Sequence, residues 1–209
     1  PISNSHSLIG GIMGAGIAGL GFEKLVYDGL GKVFTGIIVA PIGGVLFGVA
    51  VTGLIIFFFA RRKPAIVNKT FGRLQIISSA WFALTHGAND GQKTMGIIVL
   101  ILFAADLIPE LEMPLWVIFA AAAAMGLGTF FGGYKVIKTL GVKITRLKPY
   151  QGFAAETSGG LMLAVFATLG IPASTTHAIT GTIMGAGSAR RIRAVRWKVS
   201  RQIIFSWVI

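Results

Sequence analysis

Three ionisable side chains, Asp90, Lys93 and Glu156, stand in stretches that are otherwise apolar, and so do His6, His86 and His177. A charge at the centre of a helix in lipid costs roughly 2.5–3.5 kcal/mol unless it is paired or solvated, so a functional role is the first reading for such groups. Asp90 lies in His86-Gly87-Ala88-Asn89-Asp90-Gly91-Gln92-Lys93. Two glycines and an Asn-Asp pair predict a helix break there. The Asp90 carboxylate, the Asn89 amide oxygen and carbonyls freed by the break are hard donors that suit a small cation or a proton. The plainer alternative is an Asp90–Lys93 pair that only neutralises both charges. Ser174-Thr175-Thr176 opens a helix after Pro172, and hydroxyls with unpaired N–H groups at a helix start form an anion site. Simple N-capping is its plain alternative. Glu156 could hold a cation or a proton, or pair with a basic loop. His6 and His177 each follow a serine by three residues and are expected to make structural hydrogen bonds. His86 and Asp90 have the i,i+4 spacing of a metal pair, but the expected break removes their common face.

The elements that carry these groups must lie in a membrane. Of the 209 residues 54% are hydrophobic and 12% charged, with a mean hydropathy of +0.79, against about 45–50% and about 25% in soluble domains. Val33–Ala60 has no charge and exceeds the roughly 20 residues that span a bilayer. Pro114–Tyr134 behaves alike. The 29 glycines suit close helix packing in lipid. With no cysteine there is neither a disulfide framework nor a thiolate site.

The formal charge of +12 has a pattern. Most basic residues fall in three blocks between apolar runs: Arg61 to Arg73, Lys135 to Lys148 and Arg190 to Arg201. This is the positive-inside arrangement, which places all three blocks in the cytoplasm and argues against nucleic acid as partner. Glu23 and Asp28, and then Asp106, Glu110 and Glu112, fill the opposite loops. Val33–Ala60 then runs inward, Leu74–Ala105 outward and Leu115–Tyr134 inward. Gly152–Ala189 starts and ends on the cytoplasmic side and is broken at Gly170-Ile171-Pro172; its second arm is too short to span, which predicts a re-entrant helical hairpin. The basic stretch Tyr134–Tyr150 is expected at the cytoplasmic surface, with Trp116 and Trp207 as interfacial anchors. Met13 and Met184 are expected to pack.

An internal repeat joins these features. Pro1–Gly16 (PISNSHSLIGGIMGAG) and Pro172–Gly187 (PASTTHAITGTIMGAG) agree at nine of sixteen positions without a gap. The second copy runs into the cytoplasmic block at Arg190, the first into the loop Glu23–Lys32 on the opposite side. The copies therefore point in opposite directions, as in secondary transporters built from inverted-topology repeats around a midplane site.

Together these motifs resemble the inorganic phosphate transporter family, bacterial type. His86–Gly96 is similar to its GAND motif, Pro172–His177 to its P-x-S-T-T-H motif and Glu156–Gly159 to its acidic motif. The resemblance covers essentially the whole chain. It implies an all-α integral membrane fold of inverted-topology repeats with broken helices and re-entrant helical hairpins. Residues 1–60 would end the first repeat, 61–73 form a cytoplasmic loop, and 74–209 form the second repeat, with parts of both repeats lying beyond the chain's ends. The implied function is a symporter for inorganic phosphate, free or as a metal–phosphate complex, with H+ or Na+ co-transported and no other cofactor. Substrate contacts fall to Ser3, Asn4, Ser5, Asn89, Gln92, Ser174, Thr175 and Thr176, and cation contacts to Asp90, Asn89 and Glu156, with sodium at Asp90 the one metal admitted. A multi-pass location in a bacterial inner membrane, contact with the lipid bilayer and a homodimer are further expectations. Two departures matter: Gly91-Gln92-Lys93 replaces the commoner Val-Ala-Asn, which bears on coupling, and Asn4 replaces a threonine, which leaves an oxygen donor but changes geometry. A sulfate permease is the alternative within the family. An intramembrane hydrolase using Ser174 with His177 is the alternative outside it, which the duplicated Ser3/His6 pair disfavours.

Overall fold

A computed structural model describes residues 3–208 of the chain; Pro1, which opens the first repeat copy, and Ile2 and Ile209 lie outside the described residues. The described residues form seven α-helices and no strand: α1 (Asn4–Leu20), α2 (Tyr27–Phe59), α3 (Pro64–Ala104), α4 (Leu115–Lys138), α5 (Pro149–Thr168), α6 (Thr175–Ser188) and α7 (Trp197–Val208). Short 3-10 turns precede α2 and α7, and a π-helical turn, Thr139–Ile144, follows α4.

Helix length accounts for two corrections. α2 has 33 residues and α3 has 41, about 50 and 60 Å at 1.5 Å per residue, whereas the hydrocarbon core is about 30 Å thick. Both helices therefore continue beyond their apolar stretches, because hydropathy marks the membrane segment and not the helix end. Residues 64–73, expected to be loop, are the first turns of α3, which starts with Pro64 at the position where a missing N–H costs nothing. Only Ala60–Lys63 connect α2 to α3.

The larger correction lies within α3. The expected break at residues 86–93 is absent and the helix runs through it. In lipid a stranded N–H or C=O has no water to turn to, so keeping the helical bonds outweighs the roughly 1 kcal/mol that each glycine costs relative to alanine. Asn89, the residue best suited to compete with the backbone, points its Nδ2 back to the Thr85 carbonyl at 2.8 Å.

α5 and α6 form the expected hairpin. The turn closes at Gly170, which has φ 62°. Gly170 N–H donates to Ala167 O at 3.2 Å and Ile171 N–H to Phe166 O at 2.9 Å, a Schellman ending that satisfies the last carbonyls of α5. α6 packs along α2 and α5, and α5 along α3. Glycines set how close α6 comes. A Cβ on Gly44 would stand 2.8 Å from the Ala178 carbonyl oxygen, and one on Gly36 would stand 2.7 Å from that of Pro172. Such backbone-to-backbone approach is how helices associate where apolar burial gives no net gain.

Outward faces are apolar. Phe34, Ile38, Leu46 and Phe57 on α2, and Phe119 and Phe130 on α4, are exposed. α2 and Leu115–Tyr134 of α4 have mean hydropathies of 2.5 and 1.8 over their most apolar windows. Such outward apolar faces are what an all-α membrane fold presents to lipid or to further helices. Inside, Leu140 and Ile144 of the π turn pack with Ile183, Met184, Val195 and Ile203. The segment expected to lie on the cytoplasmic surface thus contributes an apolar edge to the core. Trp207 is no interfacial anchor either, since its ring lies 3.8 Å from that of His177.

Gly44→Val is expected to lower stability by about 1–3 kcal/mol through overpacking. Gly53, with open space around it, is expected to tolerate alanine without loss. Thermal melts of the full-length protein in detergent measure both; equal melting temperatures for the two variants would refute the close-approach argument.

Candidate functional site

Two helix starts meet at the centre. Ser3 caps α1 and Ser174 caps α6, each Oγ accepting the backbone N–H three residues on, from His6 and His177, at 3.3 Å. The two hydroxyls are 2.8 Å apart and buried. His6 and His177 stack edge to face at 4.5 Å. The His6 ring nitrogens have no hydrogen-bond partner among the described residues, contrary to the structural bond expected of it, whereas the His177 ring lies against the Ile37 backbone. The imidazoles are packed as aromatic rings at the crossing of the helix ends. Ser174 Oγ is occupied by Ser3 and by its own helix cap, and His177 offers it no ring nitrogen, so no nucleophile–base pair exists for the hydrolase reading.

α3 passes beside this crossing. Because the helix is unbroken, His86, Asp90 and Lys93 share one face at i, i+4 and i, i+3 spacing. Asp90 Oδ2 is 3.2 Å from His86 Nε2 and accepts from Thr175 Oγ1 at 2.9 Å. Asp90 Oδ1 accepts from Lys93 Nζ at 3.0 Å. Lys93 also donates to Ser5 Oγ at 2.8 Å and to the Ala173 carbonyl at 2.9 Å. The face that the sequence reading gave up for metal binding is intact, although no group of three metal-ligating side chains occurs among the described residues.

A cavity of about 920 Å³ opens from this junction. Asn4, Ser5, Asp90, Thr175 and Thr176 line one part of it, and Glu156 lines another. Asn89 and Gln92 do not join them: Asn89 is engaged with Thr85, and Gln92 is exposed, pointing from the far side of α3 because two residues turn a helix by about 200°.

The comparisons with known proteins address the whole chain. The model of the "Phosphate transporter family" matches residues 1–209. The chain belongs to the phosphate transporter family. A Rhizobium meliloti protein described as a "probable low-affinity inorganic phosphate transporter" is 46% identical over 210 residues, covering 100% of the chain and 63% of the relative. A Bacillus subtilis protein with the same description is 40% identical over 210 residues, again covering 100% of the chain and 63% of the relative. The chain thus spans less than two thirds of these relatives' length. A solved structure titled "The sodium-dependent phosphate transporter" superposes with a TM-score of 0.82 at 25% identity, over 100% of the chain and 69% of that protein. These relatives are named as transporters and none as an enzyme.

Within this phosphate transporter chain, Glu156 has partners that its own motif does not disclose. Ser78 Oγ donates to its Oε2, and Gln75 Nε2 to its Oε1 at 3.4 Å. Both are neutral donors on α3, not the basic loop residue held open as one alternative. A trace of this was present in the sequence, since Gln75 and Ser78 are an i, i+3 polar pair in an apolar run. A break at residues 86–93 would part His86 from Asp90, and the unbroken helix brings them within 3.2 Å. The His86 ring also stacks on Phe82, with centroids 6.1 Å apart and planes 5° from parallel.

Proposed function

We propose that the full-length protein is a secondary-active symporter that carries inorganic phosphate across a bacterial inner membrane, driven by an H+ or Na+ gradient. The observation that carries this reading is the meeting of α1 and α6 at their N-terminal ends, beside a charged pair and a cavity inside a membrane fold. Helix starts present unpaired N–H groups and a positive dipole end, and hydroxyls add donors for phosphate oxygens. Asn4, Ser5, Thr175 and Thr176, which line the cavity, are the substrate contacts of this reading, and Ser3 and Ser174, whose buried hydroxyls bond to one another, fix the two helix starts that carry them. Asp90 supplies the negative charge that a co-transported cation offsets, and Glu156 is a second carboxylate in the same cavity. Asn89 and Gln92 enter only if α3 turns or another segment of the full-length protein presents a partner to them.

The repeat supports an inverted arrangement. The two matching segments meet head to head and extend away from one another, as two half-sites related by an axis in the membrane plane would do. Residues 1–60 close the first repeat and 74–209 form most of the second. Alternating access then consists of rocking one repeat against the other about the common site.

Asp90→Asn is expected to abolish phosphate uptake in proteoliposomes while surface expression stays at the wild-type level; uptake at the wild-type rate would remove Asp90 from the mechanism. Single-cysteine labelling is expected to find residues 22–32 and residues 190–201 on opposite sides of the membrane, and labelling from the same side would refute the inversion.

A further inference from the structure

Lys93 Nζ is held by three oxygens from three parts of the chain: the Asp90 carboxylate of its own helix, the Ser5 hydroxyl in the first turn of α1, and the Ala173 carbonyl just before α6. An ammonium has three protons to donate, and each has a partner. A carboxylate, a hydroxyl and a backbone carbonyl converging on one point are the donor set of a hard-cation site. The cation at the centre of this set is covalently attached to α3. The other carboxylate oxygen of Asp90 is engaged by Thr175 and His86.

We infer that Lys93 is a tethered cation in the position beside Asp90 that a sodium ion would otherwise fill. Sodium does not bind at this carboxylate, and a sodium gradient does not drive transport through it. Space and charge support this. The three oxygens stand 2.8–3.0 Å from Nζ, whereas oxygens around a bare calcium ion, an ion close to sodium in radius, stand at roughly 2.3–2.6 Å. With the ammonium removed, the cage needs to contract by only about 0.5 Å to take such an ion. With it present, a second cation would meet a like charge within a few ångströms, away from bulk water. A tethered ammonium also differs in kind from a bound ion, because it is covalently part of α3 and cannot leave on either side of the membrane. The consequence for transport rests on the symporter reading above; the consequence for ion binding does not.

The test measures sodium binding by the purified full-length protein, with radioactive sodium against a choline background, for wild type, Lys93→Ala, Lys93→Gln and the double variant D90N/K93A. Wild type is expected to show no sodium site that depends on Asp90. Lys93→Ala, or Lys93→Gln if the alanine variant is not monodisperse, is expected to gain saturable sodium binding at least tenfold tighter than wild type, and D90N/K93A to lose it again. Sodium binding by wild type that Asp90→Asn abolishes would overturn the inference, as would a folded Lys93 variant that gains none. Phosphate uptake with and without a sodium gradient forms a separate arm. Uptake by wild type is expected to be the same in both, and uptake that requires sodium and is lost in Asp90→Asn would contradict the inference. Absence of uptake under every gradient would refute the symporter reading and leave the binding result to decide the role of Lys93.

Discussion

The Lys93 ammonium joins segments that have little else in common. α1 makes few other contacts with the body of the protein, yet its first turn is fixed by two bonds, Ser5 to Lys93 and Ser3 to Ser174. The turn before α6 is held by the Ala173 carbonyl, and α6 itself by Thr175 on Asp90. The Asp90–Lys93 pair is about four-fifths shielded by the protein. Removing either member would leave a partly shielded charge at the cavity, a change that costs roughly 3–5 kcal/mol in fully buried pairs and less where the cavity solvates the remaining charge. The placement of the Ser5 and Thr175 hydroxyls at the cavity follows from that constraint, together with the unbroken α3 that keeps Asp90 and Lys93 one turn apart.

Close packing supplies the rest. α6 reaches the centre because Gly36 and Gly44 let the hairpin lie against α2 backbone to backbone. The segment is short, 14 residues, and almost every residue on it is buried, including polar Thr180 and Thr182. A helix that is enclosed on all sides and opens on hydroxyls and dipole-aligned N–H groups delivers polar chemistry to membrane depth without exposing it to lipid. Long apolar helices such as α2 and α4 supply the lipid contact, so the functional and the lipid-facing parts of the chain are largely separate.

How much of this could be read from the sequence depended on the kind of signal. Apolar runs and basic blocks located α2, α4 and the hairpin, since hydropathy and the positive-inside bias act residue by residue. The repeat sets Ser3 and Ser174 at equivalent positions about a common site, and their direct contact appears only in the structure. The state of α3 was misread, because glycine and Asn-Asp are strong breakers in water and much weaker ones where the backbone has no other partner. A break there separates His86 from Asp90, whereas the Asp90–Lys93 pair is legible in the sequence either way. Ser78 and Gln75 as partners of Glu156, and Trp207 against His177, depend on tertiary contacts that no local pattern encodes.

The central claim is that substrate sits where the two helix starts meet. Arsenate, a heavier analogue of phosphate, can be located by its anomalous scattering in crystals of the full-length protein. The account predicts a peak between the N-terminal ends of α1 and α6, within hydrogen-bonding reach of Ser5, Thr175 or Thr176. A peak at Glu156 with Gln75 and Ser78, or one away from both helix starts, would contradict it.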